Sequence, residues 1–333
     1  MQVQTMRAVV VPRFGGPEVL EVRELPVPQP KQGHVLIKVA YAGVNYAELM
    51  ARRGEFHALP MPFTPGYEVS GTIVALGAGV EGFRVGQPVA ALTIQGGYAE
   101  YATAQAVLTF PLDTSDTTVD LERAAAFPAV APTAYDLLAN AARLRQGESV
   151  LIHAASGGVG CAAGQIARAL GARLILGTTS SEEKATYARA FGYHQVFLVD
   201  GFEQAVLEAT EGRGVDIALD ARGEPTRSRN LALLAHFGRL VVYGNASNNP
   251  DKPVLPGDLW RSNKGVIGYS ITSLSQAAPH LVAETVRQVL RLIATGALKI
   301  DVSAIFSLEQ AAAAHRRIEA RSHVGKLLLH VQE

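Results

Sequence analysis

The first part of the chain carries short apolar or alternating runs that are separated by Gly-Pro, Pro-Gly and Gly-Gly pairs. This spacing is typical of strands in an antiparallel, barrel-like domain. The pattern predicts one helix, at residues 46–53. The strands that it predicts span residues 7–14, 19–25, 34–44, 67–76, 88–92 and 98–104.

Beyond about residue 121 the pattern changes, and strand-like runs alternate with helical ones. Such alternation indicates an α/β domain with a parallel, doubly wound sheet, whose apolar strands are buried on both faces. Six strands suit a dinucleotide-binding arrangement. The strands are predicted at residues 149–155, 173–179, 195–200, 215–221, 239–245 and 266–271, with helices at 158–170, 181–191, 202–210 and 224–236.

The C-terminal part of the chain leaves this alternation. Helices are predicted at 283–294 and 309–319, and a strand at 326–331. Because these elements extend neither the alternation nor the sheet, we expect them to return to the first domain. The predicted organisation is therefore a β-rich domain formed by residues 1–121 and 269–333, with a nucleotide-binding domain at 122–268.

A glycine-rich turn follows the first strand of the alternating region, in Val150-Leu-Ile-His-Ala-Ala-Ser-Gly-Gly-Val-Gly160. It is a variant of the G-x-G-x-x-G turn, with Ala155 at the first glycine position. Gly157 would let the backbone approach a pyrophosphate, and Gly160 would allow close contact between helix and strand. Such turns also occur without ligands, but this one stands at the first strand of a six-strand pattern. The predicted cofactor contacts are Ala155, Ser156, Gly157, Gly158, Val159 and Gly160.

The end of the next predicted strand indicates which dinucleotide binds. Folds that prefer NAD usually place an acidic residue there, about 20 positions on, to bind the ribose 2′-hydroxyl. Here Thr179 holds that place, Ser180 follows, and Lys184 lies one turn into the next helix. Hydroxyls and a cation suit a 2′-phosphate, so we predict NADPH. The alternative is that Ser181 caps the helix and Lys184 is merely solvated.

Composition narrows the possible partners. The 30 basic and 30 acidic side chains balance, so no net field attracts the chain to nucleic acid or anionic lipid. We find neither a signal-peptide pattern nor the ~20 consecutive apolar residues that span a bilayer, and expect a cytoplasmic protein without stable membrane insertion. The single cysteine, Cys161, excludes a zinc site built on several thiolates. At the start of an apolar helix it is expected to pack as a small hydrophobic residue.

Several motifs in order resemble one family over essentially the whole chain. The chain is similar to the zinc-independent quinone oxidoreductase (zeta-crystallin-like) branch of the medium-chain dehydrogenase/reductase superfamily. The resemblance implies a GroES-like β-rich catalytic domain and a Rossmann domain, with NADPH facing a cleft between them. Part of it extends to the vesicle amine transport protein branch. The matching stretches are Ala42–Met50, Thr64–Gly71, Ala154–Gly160, Tyr243–Ser247 and Val324–Leu328.

The resemblance also implies what the active site contains. The cysteine and histidine that bind catalytic zinc in the alcohol dehydrogenases of the superfamily correspond here to Asn45 and Tyr67, so no metal is expected. Asn45, Tyr46 and Tyr67 are expected to line the substrate site. Asn45 would supply amide hydrogen bonds, and the Tyr46 hydroxyl would bond an acceptor oxygen or steer a proton. Alternatively, Asn45 caps the helix at 46–53 and Tyr46 packs in its first turn.

Four further residues match cofactor positions of the family. Thr133 is expected near the nicotinamide, the Gly244–Asn245 pair beside its amide, and Lys326 near the cofactor or the cleft. Each has an ordinary structural alternative. Thr133 would be a helix-interior residue, Gly244 and Asn245 an ordinary turn, and Lys326 a surface charge.

Three functions remain open from the sequence. Hydride transfer to a quinone-like acceptor is favoured by the resemblance, and reduction of an activated alkene such as an enal or enone would use the same cofactor and metal-free site. A cofactor-binding protein without turnover is the third. A homodimer is also expected, because the strand at 266–271 is predicted at a sheet edge and the family usually pairs there; light scattering measures this directly.

Overall fold

A computed structural model describes residues 5–55, 60–113 and 119–332. The predicted β-rich domain also includes residues 1–4, 56–59, 114–118 and 333, which lie outside the described residues. The chain forms two compact units. The first contains residues 1–130, 272–294 and 300–333, and the second contains residues 131–271 and 295–299. The predicted domain boundaries, after residues 121 and 268, stay a prediction.

The secondary structure follows the chain in this order. The strands are β1 (Thr5–Val10), β2 (Glu21–Pro26), β3 (His34–Val44), β4 (Glu68–Leu76), β5 (Pro88–Leu92), β6 (Tyr101–Gln105), β7 (Thr109–Pro111), β8 (Ser149–His153), β9 (Leu174–Thr179), β10 (Gln195–Leu198), β11 (Val215–Asp220), β12 (Leu234–Val242), β13 (Gly265–Gly268), β14 (Val302–Ser307) and β15 (Lys326–His330). The helices are α1 (Tyr46–Arg53), α2 (Leu121–Ala124), α3 (Val130–Tyr135), α4 (Gly158–Ala169), α5 (Glu182–Arg189), α6 (Phe202–Ala209), α7 (Thr226–Leu233), α8 (Pro256–Ser262), α9 (Ile271–Ala277), α10 (Pro279–Ala294) and α11 (Ala311–Glu319).

The sheet of the first unit is built around β3. Its order is β14-β15-β3-β4-β5-β7, and β6 also pairs with β3. The long run of β3 has the predicted bounds, and most of its side chains are buried in the core of this unit. Gly71 of β4 allows the two strands to approach closely, because a Cβ there would lie 2.0 Å from the Lys38 carbonyl oxygen. The last strand, β15, runs antiparallel to β3 and brings Lys326 beside the start of α1.

The sheet of the second unit is parallel and doubly wound. Its order is β10-β9-β8-β11-β12-β13, and each neighbouring pair is parallel. Counted along this unit, the order is 3-2-1-4-5-6, in which the connection reverses direction between β8 and β11. Every residue of β8 is buried, because helices cover both faces of such a sheet. This topology confirms the predicted α/β fold class.

Some predicted boundaries are wrong. The helix predicted to reach residue 236 ends at Leu233, and β12 begins at Leu234 because Leu234 pairs with Val215 of β11. This strand ends at Val242, so Gly244 and Asn245 lie in the following loop. The strand predicted to reach residue 271 ends at Gly268, and Ile271 begins α9. Helix α8 and strand β14 were not predicted.

Strand β13 is at one end of the doubly wound sheet, as the homodimer prediction requires. The dimer itself stays a prediction. Among the helices in the described part of the chain, none combines the length and the apolar character needed to cross a membrane.

Candidate functional site

In the second unit, the glycine-rich turn connects the buried strand β8 to helix α4. Two backbone bonds fix it: Ala155 N–H donates to the Thr178 carbonyl at 3.0 Å, and Gly157 N–H donates to the Ala154 carbonyl at 2.9 Å. Gly157 is the N-cap of α4. The first-turn amides of a helix have no intrahelical partner and, with the helix dipole, favour an anion. The turn therefore forms a suitable phosphate cradle.

Gly157 and Gly160, the two glycines that match the G-x-G-x-x-G pattern, differ in what surrounds them. A Cβ at Gly160 would lie 2.3 Å from the Ala154 carbonyl oxygen, so the fold itself requires glycine there. A Cβ at Gly157 would meet only that same oxygen, at an ordinary 3.4 Å. Nothing in the described fold therefore demands glycine at 157, and Gly157 is only partly buried. The backbone at Gly157 therefore has the space that a dinucleotide pyrophosphate would need.

At the end of β9, the side chains are placed partly by local capping. Lys184 N–H donates to Ser181 Oγ at 3.4 Å, which makes Ser181 the N-cap of α5. Buried Thr179 donates its hydroxyl to the Ser181 carbonyl at 3.1 Å. Ser180 is exposed. The helix-cap interpretation of Ser181 is thus confirmed, while contacts of Thr179, Ser180 and Lys184 with a cofactor stay a prediction.

The loops after β11 and β12 are tied together by a buried ion pair. The fully buried Asp220 carboxylate accepts from Arg227 Nε at 2.9 Å, and another nitrogen of this guanidinium donates to the Gly244 carbonyl at 2.7 Å. Gly223 approaches Asn245 so closely that a Cβ at 223 would lie 1.9 Å from Asn245 Oδ1. The predicted Gly244–Asn245 turn is therefore positioned by Asp220 and Arg227, which the sequence did not single out.

Three other residues of this unit are core residues. Thr133 is buried and bonds to the Tyr269 side chain, as a helix-interior residue would. His153 is fully buried between Thr178 Oγ1 at 2.7 Å and Asn230 Oδ1 at 2.6 Å, and burial lowers its pKa to about 4. It is therefore a neutral histidine with both ring nitrogens hydrogen-bonded. Cys161 is buried, which confirms that it packs in the core.

In the first unit, buried Glu48, Glu68 and Lys326 and partly buried Asn45 form a polar cluster that we call the Lys326 cluster. The Lys326 ammonium lies 2.5 Å from Glu68 Oε1 and also donates to Asn45 Oδ1. Asn45 Nδ2 donates to Glu68 Oε1 at 3.0 Å and to Glu48 Oε1 at 3.3 Å. Both carboxylates are 0% exposed, and Lys326 is 3% exposed. The interpretation of Lys326 as a surface charge is therefore wrong.

The orientation of the Asn45 carboxamide follows from its neighbours. An ammonium can only donate hydrogen bonds, and ionised carboxylates can only accept them. The side facing Lys326 must therefore be the oxygen, and the side facing the two glutamates must be the amide nitrogen. Both amide hydrogens are directed at carboxylates of the protein. Asn45 also occupies the N-cap position of α1, where its backbone N–H donates to the Glu48 carboxyl group, whereas its contact with an acceptor stays a prediction.

The two carboxylates hold three backbone segments. Glu48 accepts from Asn45 N–H at 2.9 Å and from Tyr67 N–H at 3.0 Å. Glu68 accepts from Ala129 N–H at 2.6 Å. Burial raises the pKa of Glu48 to about 7, against the opposing effect of the Lys326 charge. The cluster thus connects the starts of α1 and β4 with the segment before α3.

The two tyrosines predicted for the site are held beside this cluster. The Tyr67 side chain bonds to Thr272, and burial raises its pKa to about 12, so at neutral pH the phenol is protonated and is a hydrogen-bond donor. Tyr46 is half-buried against the core, and its hydroxyl accepts from Arg53 at 3.4 Å. The Arg53 guanidinium carbon lies 5.9 Å from the Tyr46 ring centroid.

The contact with Arg53 gives a test of the Tyr46 hydroxyl. We expect Tyr46→Phe to leave the melting temperature nearly unchanged, because the bond it removes is long and partly exposed. If the hydroxyl assists the acceptor, kcat should fall by about tenfold to 100-fold. Steady-state kinetics at saturating cofactor measure this. Unchanged turnover would reduce Tyr46 to a packing residue.

Comparison with known proteins supplies the class. Residues 31–114 match the alcohol dehydrogenase GroES-like domain, and residues 158–295 match the zinc-binding dehydrogenase family. Human quinone oxidoreductase is 37% identical over 97% of both chains. The structure of Escherichia coli quinone oxidoreductase complexed with NADPH has a TM-score of 0.89 at 28% identity, covering 97% of this chain and 99% of that one.

A vesicle protein is similar as well. The crystal structure of human synaptic vesicle membrane protein VAT-1 homolog-like protein has a TM-score of 0.87 at 32% identity, covering 99% of both chains. The chain therefore belongs to the quinone oxidoreductase (zeta-crystallin-like) branch of the medium-chain dehydrogenase/reductase superfamily, a class of oxidoreductases, with likeness to the VAT-1 proteins.

The name of one matching family implies a zinc ion, but the residues here do not fit one. The positions that the resemblance assigns to zinc ligands hold Asn45 and Tyr67, which supply neither thiolate nor imidazole. The Asn45 oxygen already accepts from the Lys326 ammonium, whose charge would repel a metal cation. Within residues 5–55, 60–113 and 119–332, no three His, Cys, Asp or Glu side chains are grouped to hold a metal ion.

Proposed function

We propose that this protein is an NADPH-dependent, metal-free reductase of quinone-like acceptors. The observation that carries the proposal is the turn between β8 and α4, where the described fold does not demand glycine at Gly157 and a Cβ there would meet only the Ala154 carbonyl oxygen at 3.4 Å. The relatives named above support the cofactor and the acceptor class. Bound NADPH would supply a hydride, which together with a proton converts a quinone to a hydroquinone.

The residues proposed to hold the cofactor lie in the second unit. Backbone amides of residues 155–160 would bind the pyrophosphate at the start of α4. Thr179, Ser180 and Lys184 would accommodate the 2′-phosphate, since β9 ends in two threonines and a serine follows. Thr133, Gly244 and Asn245 would contact the nicotinamide end.

On the acceptor side, we assign hydrogen bonding to the hydroxyls of Tyr46 and Tyr67. A protonated Tyr67 phenol is a suitable hydrogen-bond donor to an acceptor oxygen, and its raised pKa keeps it protonated at neutral pH. Asn45 has both amide hydrogens directed at carboxylates, so we assign it the role of positioning the start of α1. We also propose a cytoplasmic homodimer that pairs at β13.

The test is oxidation of NADPH and NADH at equal concentrations against 1,4-naphthoquinone and against a matched enal and enone. We expect kcat/KM to favour NADPH by at least about tenfold, a difference of ~1.4 kcal/mol, and to favour the quinone. Ser180→Asp is the control, because it places a carboxylate at the exposed position next to Thr179, where it would repel a 2′-phosphate. It should lower the NADPH preference without lowering the melting temperature.

Three outcomes would contradict parts of the proposal. A preference for NADH would remove the role of Ser180 and Lys184. Faster reduction of the enone would move the protein to the alkene reductases. NADPH binding without oxidation by any acceptor would favour the non-catalytic alternative that the likeness to VAT-1 proteins raises.

A further inference from the structure

The Lys326 cluster contains the kind of donor set that usually surrounds a cation. A carboxylate oxygen of Glu68 and the amide oxygen of Asn45 converge on one point in the first unit, with the Glu48 carboxyl group bonded to Asn45 beside them, and such oxygens suit a hard cation. The ammonium of Lys326 occupies the place that such a cation would take, and it contacts Glu68 and Asn45. Burying the ionised Glu68 carboxylate without a positive partner would be strongly unfavourable, so the charge of Lys326 is a condition for the cluster.

We propose that Lys326 is a positioning residue that acts as the fixed cation of this site, in place of a bound metal ion. Its ammonium neutralises Glu68 and orients the Asn45 carboxamide. Since the charge belongs to strand β15, it cannot be removed by a chelator or exchanged with solvent.

The role connects Lys326 to the acceptor side of the reaction. Asn45 precedes Tyr46 in the chain, and Glu48, bonded to Asn45, holds the backbone N–H of Tyr67. Loss of the ammonium should therefore displace both tyrosines rather than weaken cofactor binding. This differs from the direct cofactor contact predicted for Lys326 by resemblance. The inference rests on the proposed function only in assigning Tyr46 and Tyr67 to the acceptor.

The test is chemical rescue of Lys326→Ala, which removes the ammonium and leaves space for a small amine. The melting temperature should fall by roughly 10 °C, as expected when one partner of a buried pair is lost. Ethylammonium chloride should recover most of that loss, whereas tetramethylammonium chloride, which has no N–H donors and is larger, should not. At saturating NADPH, kcat with 1,4-naphthoquinone should fall by at least about tenfold and recover with ethylammonium, while the dissociation constant of NADPH stays unchanged.

Glu68→Gln combined with Lys326→Ala provides the matched control, because it removes both charges. This double variant should melt above Lys326→Ala. If Lys326→Ala does not fold, a folded double variant still supports the proposal, and an unfolded one overturns it. A weaker NADPH complex with an unchanged melting temperature also overturns it, since that result identifies a cofactor contact. If the wild type reduces no quinone, the proposed function fails, but melting and rescue still test Lys326.

Discussion

Gly157→Val should abolish cofactor binding while the protein stays folded. A Cβ at residue 157 makes one ordinary contact, at 3.4 Å, and the extended backbone there, with φ −85° and ψ 172°, accommodates a β-branched residue. The valine side chain would occupy the space that a pyrophosphate needs. We expect the NADPH dissociation constant, measured by fluorescence titration, to rise by at least about 100-fold, or ~2.7 kcal/mol.

Gly160→Ala is the matched control in the same turn. Its methyl group would lie 2.3 Å from the Ala154 carbonyl oxygen and 2.7 Å from that of Ala155, so the turn must shift and the melting temperature should fall. Gly157→Val should leave the melting temperature within about 3 °C of wild type. Should Gly157→Val bind NADPH normally, the assignment of this turn to the cofactor would be wrong.

Asp220→Ala should be among the most destabilising single substitutions in the second unit. Asp220 is fully buried and Arg227 is 8% exposed at its side chain, so the substitution leaves a buried guanidinium without its main partner. Loss of one member of such a pair costs about 3–5 kcal/mol in unfolding free energy. Because Arg227 keeps its contact with the exposed Asp251, we expect a loss of unfolding free energy at the lower end of this range, about 3 kcal/mol. Denaturant titration measures it.

Two controls separate charge from hydrogen bonding at this position. In the wild type, Asp220 Oδ1 accepts from the N–H groups of Arg222 and Gly223 at 2.8 and 3.2 Å. Asp220→Asn keeps an acceptor for these two groups, so its unfolding free energy should fall less than that of Asp220→Ala. Asp220→Asn combined with Arg227→Met removes both charges, and its unfolding free energy should lie above that of Asp220→Ala. Equal destabilisation by all three variants would indicate that packing, not the ion pair, holds this loop.

The sequence predicted those features that depend on neighbouring residues. The bounds of β3, β5 and α1 were correct, because apolar runs with clear glycine and proline punctuation specify them. The end of α7 was predicted wrongly, because the segment Leu231-Ala-Leu-Leu-Ala235 contains no glycine or proline. Only pairing with β11 decides where β12 begins. Helix propensity at this boundary was overridden by the sheet.

The functional residues also differ in whether the sequence could predict them, according to how far apart they lie in the chain. The turn at 155–160 was visible because its glycines are adjacent in sequence. The Lys326 cluster was not, because Asn45 and Lys326 are 281 positions apart and a glutamate in a helix or strand is usually solvated. Glu48 and Glu68 were missed for that reason. The available signal was Lys326 itself, a charge directly before the three leucines of β15.

The alanine that begins the glycine-rich turn can be understood through the neighbouring strand. Ala155 is fully buried, and a Cβ at Gly177 of β9 would lie 2.8 Å from the Ala155 methyl group and 2.8 Å from the Tyr193 ring. The glycine that the turn lacks at its first position is thus matched by one across the sheet. Residues 155 and 177 share a single volume, so among relatives they should change size in opposite directions. A sequence motif for this turn should therefore include a residue of β9 as well as the residues that follow β8.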